Sequence, residues 1–249
     1  MEPIISVCMA SFNGERYIAE QIASILRQLP KNAEFIISDD GSSDQTLSII
    51  KSFNDARIQL LQGPKQGVAR NFEFALRHAK GQYIFLADQD DVWLDNKVEL
   101  MFEALQTYPV AISDAKVVDG DQSTIAESLF KYIGFKRGFW VNWIHNRYLG
   151  CTMAFQREFV EQTLPFPQTI PSVHDWWLGL IAEKQNQVKV INKPLMLYRR
   201  HGANLSTVGN KSKYNLYSKL SFRVKLLLQL CQRFKSSREL KKHNENTYH

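Results

Sequence analysis

Apolar and polar positions come in alternating blocks along the first 114 residues. Ile4 to Ala10 is an apolar run of strand length, and Asn13-Gly14 interrupts it. From Tyr17 to Leu29, Ile18, Ile22, Ile25, Leu26 and Leu29 recur on one helical face. Glu34 to Ser38 predicts a second strand, and Asp39 to Asp44 a loop. Ser42 and Gln45 have capping-box spacing ahead of a helix carrying Leu47, Ile50 and Phe53. Ile58 to Leu61 predicts a strand. Gly67 to Ala79 predicts a helix with Val68, Phe72, Ala75, Leu76 and Ala79 inward. Tyr83 to Ala87 is a strand ending in Asp88-Gln89-Asp90-Asp91, Asn96 to Leu105 a helix, and Val110 to Ser113 a strand.

Repeated strand–helix units predict an α/β fold: a mostly parallel sheet with helices on both faces. Ligands of such sheets bind beyond the carboxyl ends of strands. Three polar clusters share that edge here: Ser11 to Asn13, Asp39 to Asp44 and Asp88 to Asp91. The pattern weakens after about residue 115. Residues 128–150 are rich in aromatics, and Pro165, Pro167 and Pro171 mark a loop. His174 to Ala182 reads as a helix, and Val188 to Ile191 and Leu195 to Tyr198 as strands.

Charge divides the chain. Residues 211–242 carry ten Lys/Arg and one acid, a net +9, so the rest nets −3 against a total of +6. The basic character belongs to a tail and not to a nucleic-acid-binding body. Three scattered cysteines make no disulfide framework. The opening MEPIISVCMA lacks the look of a secretory signal, and no run approaches the roughly 20 apolar residues of a membrane span. The expected setting is the cytosol or the cytosolic face of a membrane.

Asp88, Asp90 and Asp91 repel one another unless a cation or strong hydrogen bonds compensate them. Oxygen ligands of this kind suit Mg²⁺ or Mn²⁺, and a solvated loop with helix-capping aspartates is the plainer alternative. A carboxylate at Asp39 or Asp40 could accept the imide N–H of a pyrimidine base; turn chemistry is the alternative. Asp175, within His174-Asp175-Trp176-Trp177, sits among aromatic walls that raise a carboxyl pKa, as a general base requires. The tryptophans themselves read first as packing.

Six segments in this order resemble glycosyltransferase family 2: SVCMASFNGERYIAEQIASI, FIISDDGSSDQT, GVARNFEFAL, GQYIFLADQDDVWLDNKVE, HDWW and YRRHGAN. The last two with DQDDVW look most like the bacterial branch that builds O-antigen, capsule and other surface polysaccharides. The resemblance implies a GT-A, Rossmann-like domain over residues 1–206, with a nucleotide-sugar half at 1–114 and an acceptor half at 115–206. It implies that Ala10, Ser11, Phe12, Asn13 and Asp39 or Asp40 hold the nucleoside, with Arg70 and Asn71 as further donor-site candidates. Asp88 and Asp90 would be the DxD pair, and Asp88, Asp90 and His201 the ligands of Mn²⁺ or Mg²⁺. Asp91, Trp93, His174 and Trp176 would meet donor sugar or acceptor, and Asp175 would be the catalytic base.

The implied reaction is an inverting transfer from a UDP- or dTDP-sugar to a hydroxyl of a lipid-diphosphate-linked oligosaccharide. Transfer to polyprenyl phosphate, or nucleotide-sugar binding without transfer, are the competing readings. Residues 207–249 form the basic tail. Leu216, Leu220, Val224, Leu227, Leu228 and Cys231 make an apolar helical stripe with Lys219, Arg223, Lys225, Arg233 and Lys235 around it. Such a helix lies on an anionic membrane or packs on the body.

Overall fold

The computed structural model describes residues 4–168, 174–202 and 216–247, with the side chains of the last segment described through residue 235. Pro171, Ala203 and Asn204, the tail before residue 216 and the side chain of Leu216 lie outside the described residues.

The first half alternates as its pattern requires: β1 (Ile5–Ser11), α1 (Ile18–Leu26), β2 (Glu34–Asp39), α2 (Thr46–Ser52), β3 (Ile58–Gln62), α3 (Val68–His78), β4 (Tyr83–Asp88), β5 (Val92–Trp93) and α4 (Lys97–Leu105). The second half adds β6 (Val110–Val118), β7 (Thr124–Ala126), α5 (Leu129–Ile133), α6 (Phe139–Ile144), β8 (Met153–Gln156), α7 (Arg157–Thr163), α8 (His174–Lys184), β9 (Val188–Arg199) and α9 (Leu216–Thr247). Helix α1 stops three residues short of Leu29 because its end tightens: the Gln28 N–H reaches back to the Ile25 carbonyl, just before Pro30. The capping box at Ser42 does not form. Asp44 accepts the Thr46 N–H at 3.0 Å instead, and Ser42 turns to Asp39.

One sheet runs in the order β3-β2-β1-β4-β8-β6-β9-β5, with β7 beside β6. β3, β2, β1 and β4 are parallel; β8 is antiparallel to both β4 and β6, and β9 is parallel to β6. Six of the nine strands therefore point the same way, and their carboxyl ends share one rim. β5 follows β4 by three residues yet pairs with β9, at the far end of the path. Three residues span only on the order of 10 Å. The sheet must curl, and the curl carries the end of β9 back to the end of β4.

Two sequence expectations change in this half. β6 continues five residues beyond Ser113, through the 114/115 position. Buried Asp114 hides that continuation in the pattern; its carboxylate accepts the Ala115 and Phe130 N–H groups and the Ser128 hydroxyl. The two strands at 188–191 and 195–198 are one strand. Register shifts against β6 absorb the Asn192-Lys193 step, so Ser113 faces Ile191 while Asp114 faces Pro194.

The sheet is covered on both faces, which explains its near-continuous apolar strands. Val7, Met9, Phe35, Ile37, Phe85 and Ala87 face α1, α2 and α4. Cys8, Ile36, Ile84 and Leu86 face α3 and α8. Helix α9 joins this second core through Leu226 and Leu230, both fully buried. That is not the stripe its spacing suggested. Two such leucines contribute roughly 1.5–3 kcal/mol each on burial, enough to hold the helix against the body. Leu220, Val224 and Leu228 lie on the opposite face, 57%, 46% and 59% exposed.

Candidate active site

Side chains tie the three polar loops to one another. Asn13 adopts a left-handed backbone (φ 47°) that asparagine tolerates. Its Oδ1 accepts the Ser43 N–H at 2.9 Å, and its own N–H donates to the Ser42 Oγ at 2.8 Å. Gln89, the middle residue of the DxD, clasps the backbone of exposed Phe12, donating to its carbonyl and accepting its N–H at 2.9 Å each. The loops after β1, β2 and β4 thus form one floor.

Asp39 and Asp40 are not equivalent on that floor. Asp39 is buried, and its oxygens accept the Gly41 and Ser42 N–H groups and the Ser11 and Ser42 hydroxyls. Four bonds fill the carboxylate. Asp40 accepts only the Lys65 and Gly67 N–H groups, at 2.7 and 2.8 Å, one on each oxygen. It keeps capacity for another donor. Asn71 is a buried brace beneath this loop, donating to the Ser38 carbonyl at 2.7 Å and accepting the Ser38 hydroxyl at 2.5 Å. Gly63 passes over it so closely that a Cβ would lie 2.5 Å from the Asn71 Oδ1. Arg70 pairs with Glu73 and donates to the Phe166 carbonyl at 3.0 Å.

Asp88 ends β4, its carbonyl held by the Gln21 amide at 2.8 Å. Burial, then the charge of Asp90, then that of Asp175, raise its carboxyl pKa. The curl brings His201 to Asp90 across 111 positions of sequence, Nε2 to Oδ2 at 2.7 Å, with the two side chains 17% and 16% exposed. Arg199, buried beneath, ties this corner together. Its backbone N–H donates to Asp91, its Nε to the Asp90 carbonyl at 2.8 Å, and its Nη2 to Glu20 at 2.6 Å.

Asp91 and Trp93, expected at the donor sugar or acceptor, both have buried side chains. Asp91 is fully buried, and Trp93 is in the core against Phe85. Asp91, Asp88 and Cys151 each offer a ligand atom within 4.8 Å of one another. A thiol suits Mg²⁺ or Mn²⁺ poorly, and buried Lys97 already brings positive charge: its Nζ lies 3.2 Å from the Cys151 carbonyl. Burial lowers the Lys97 pKa to about 8, while Cys151 and Asp91 draw it up. The oxygen-and-imidazole pair Asp90–His201, partly exposed, fits a hard divalent ion better.

Asp175 stands half-buried in the first turn of α8. Burial pushes its pKa up to about 7; bonds from the Trp176 N–H, at 2.6 Å, and from Asn146 pull the other way. Gly150 lies against both His174 and Leu86, which sets the head of α8 beside β4, and the charge of Asp175 raises the Asp88 pKa from there. His174 stacks on Phe72 at 4.6 Å, and burial lowers its pKa to about 4, which keeps it neutral. Trp176 has its indole N–H committed to the Asn142 carbonyl at 2.7 Å. Gln21, Gln89, Asn146 and Arg199 escaped the sequence reading. Gln21 had a signal, a polar side chain on the apolar face of its helix.

A curled, mostly parallel α/β sheet covered by helices on both faces is the fold of the GT-A class of glycosyltransferases. The family model described as Glycosyl transferase family 2 matches residues 6–164, and the chain belongs to that family. It is 28% identical over 213 residues to the Escherichia coli UDP-Glc:alpha-D-GlcNAc-diphosphoundecaprenol beta-1,3-glucosyltransferase WfgD, covering 84% of this chain and 81% of that protein. It is 30% identical over 238 residues to the Shigella flexneri dTDP-rhamnosyl transferase RfbG, covering 83% and 76%. Among solved structures, S. aureus TarS 1-349 in complex with UDP-GlcNAc superposes with a TM-score of 0.70 at 20% identity, over 92% of this chain and 67% of that one. In another crystal structure of S. aureus TarS 1-349 the match covers 80% of this chain and 60% of that one.

Proposed function

We propose that the protein is an inverting, divalent-metal-dependent glycosyltransferase of bacterial surface-polysaccharide synthesis. Its donor would be a UDP- or dTDP-sugar, and its acceptor a hydroxyl of a growing, lipid-diphosphate-linked oligosaccharide. The observation that carries this reading is the Asp90–His201 pair, Nε2 to Oδ2 at 2.7 Å, at the rim where β4 ends, with Asp175 near enough for its charge to raise the Asp88 pKa. Relatives named for UDP-Glc and dTDP-rhamnosyl transfer support the donor class, and the diphosphoundecaprenol in the name of WfgD supports the acceptor class.

In this reading the loop Ala10–Asn13 seats the nucleoside, and Asp40, with its spare lone pairs, accepts the imide N–H of uracil or thymine. Asp39 and Asn71 hold that loop in shape. Asp90 and His201 hold Mn²⁺ or Mg²⁺, with Asp88 beside them. When bound, such an ion neutralises charge on the departing nucleoside diphosphate. Asp175 takes the proton of the acceptor hydroxyl, whose oxygen attacks the anomeric carbon opposite the leaving group. One displacement inverts the centre. Calorimetric titration with UDP, dTDP and GDP, each with Mn²⁺ and then with EDTA, tests the site. UDP or dTDP should bind in the presence of metal and release with EDTA. A folded protein that binds none of the three would refute the donor site.

The tail belongs to the same proposal. No helix among the described residues is long and apolar enough to cross a membrane. The outward face of α9 carries Tyr217, Leu220, Val224, Leu228 and Cys231, with Lys225 and Lys235 alongside. Apolar side chains framed by lysines suit the cytoplasmic, anionic membrane surface where lipid-linked acceptors reside. Deleting the helix would expose the core, so the test alters its outer face alone. The chain should pellet with phosphatidylglycerol-rich vesicles at low salt, and L220S/V224S/L228S should stay in the supernatant while keeping its Tm. Equal pelleting of both proteins would reject the membrane assignment.

A further inference from the structure

Helix α9 reaches the catalytic half through two guanidinium groups. Arg223 and Arg233 are ten residues apart, about 15 Å along the helix, and flank the buried Leu226 and Leu230. Arg223 donates Nε and Nη2 to the Ile144 carbonyl at 2.9 and 2.5 Å, and its own carbonyl accepts the Trp143 indole N–H at 3.1 Å. Arg233 donates to the Leu164 and Pro165 carbonyls at 2.5 and 2.8 Å, and its guanidinium lies 5.9 Å from the centroid of the Trp177 ring. Ile144 ends α6 and Leu164 follows the end of α7. Both carbonyls are helix-end acceptors, where a cation is doubly favoured.

Those two segments set the surroundings of Asp175. The first contains Asn146, whose side chain helps to lower the Asp175 pKa, and Asn142, whose carbonyl holds the Trp176 indole. The second contains Thr163, whose carbonyl accepts the Trp177 indole N–H at 2.8 Å. It also contains Phe166, tied to Arg70 and Glu73 of α3. Both tryptophans that follow Asp175 are therefore fastened to backbone that α9 holds.

We propose that Arg223 and Arg233 are positioning residues: through these two segments, α9 fixes the direction of the Asp175 carboxylate toward the acceptor. The inference rests on the assignment of Asp175 as base. A displacement of 1 Å in a reacting group costs on the order of 10²-fold in rate, so loss of either clamp should be visible. R223Q and R233Q should lower kcat about 10- to 100-fold while donor KM and the calorimetric Kd for UDP stay within about twofold. R233K and R223K, which keep the cation but lose the fork, should recover part of kcat. Unchanged kcat in both glutamine variants overturns the proposal. So does a loss of kcat matched by an equal loss of UDP affinity, the mark of general unfolding. The lysine variants decide the matter if a glutamine variant fails to fold. D175N is assayed in parallel. If it retains full transfer, the base assignment falls; if it is inactive while R223Q and R233Q keep full kcat, only the positioning role falls.

Discussion

Asp175→Asn should bind UDP as tightly as the parent and lose about 10²- to 10⁴-fold in kcat, the span that general-base catalysis contributes. Asparagine keeps the shape of the side chain and its place at the head of α8, but it cannot take the acceptor proton. Full transfer by this variant would remove Asp175 from the mechanism. The pH profile carries the same signature. The base works ionised, and burial pushes its pKa to about 7. Transfer should rise about tenfold per pH unit up to that value and level off above it, with the limb absent in the variant.

Stability should move the other way. The folded pKa of Asp175 lies above its ordinary 3.8, so its stabilising contribution is complete below about pH 4 and is lost as pH rises through about 7. At pH 8 the free protein carries a half-buried charge that asparagine removes. D175N should therefore gain on the order of 1 kcal/mol, or about 2–4 °C in Tm. A variant less active and more stable at pH 8, with the gain absent at pH 4, is the expected pair of results from calorimetric melting.

Asp90→Ala should abolish the metal response of the protein. In the parent, Mn²⁺ with UDP at about 100 times Kd should add about 2.7 kcal/mol, raising Tm by roughly 5–10 °C. In the variant that rise should vanish and kcat/KM should fall by about 10³-fold or more, because the leaving diphosphate loses several kcal/mol of charge stabilisation. His201→Gln should be milder, about 10- to 100-fold, since glutamine still offers an oxygen. A full thermal response to Mn²⁺ and UDP in Asp90→Ala would move the ion elsewhere, with Asp88, Asp91 and Cys151 the group to examine next.

The limits of the sequence reading follow the range of the interactions. Strand and helix blocks and the shared carboxyl edge were legible because each depends on residues within one or two turns of chain. Six ordered motifs carried the family for the same reason. The two misread strands failed locally: Asp114 and the Asn192-Lys193-Pro194 step are polar or proline interruptions that tertiary partners absorb. The surroundings of Arg70, Trp93 and Asp91 were hidden for a different cause: their side chains turn into the core or toward Phe166, far along the chain.

By itself the sequence determined the class of fold, the family, the carboxylates and the basic helix, since hydrophobic period and motif order are local properties of the chain. Only the tertiary structure decided that Asp90 meets His201, that Asp39 is saturated while Asp40 is not, and which face of α9 is buried. Each of these follows from the curl of the sheet or from a helix docking far along the chain. Closure over such distances depends on packing that no short segment encodes.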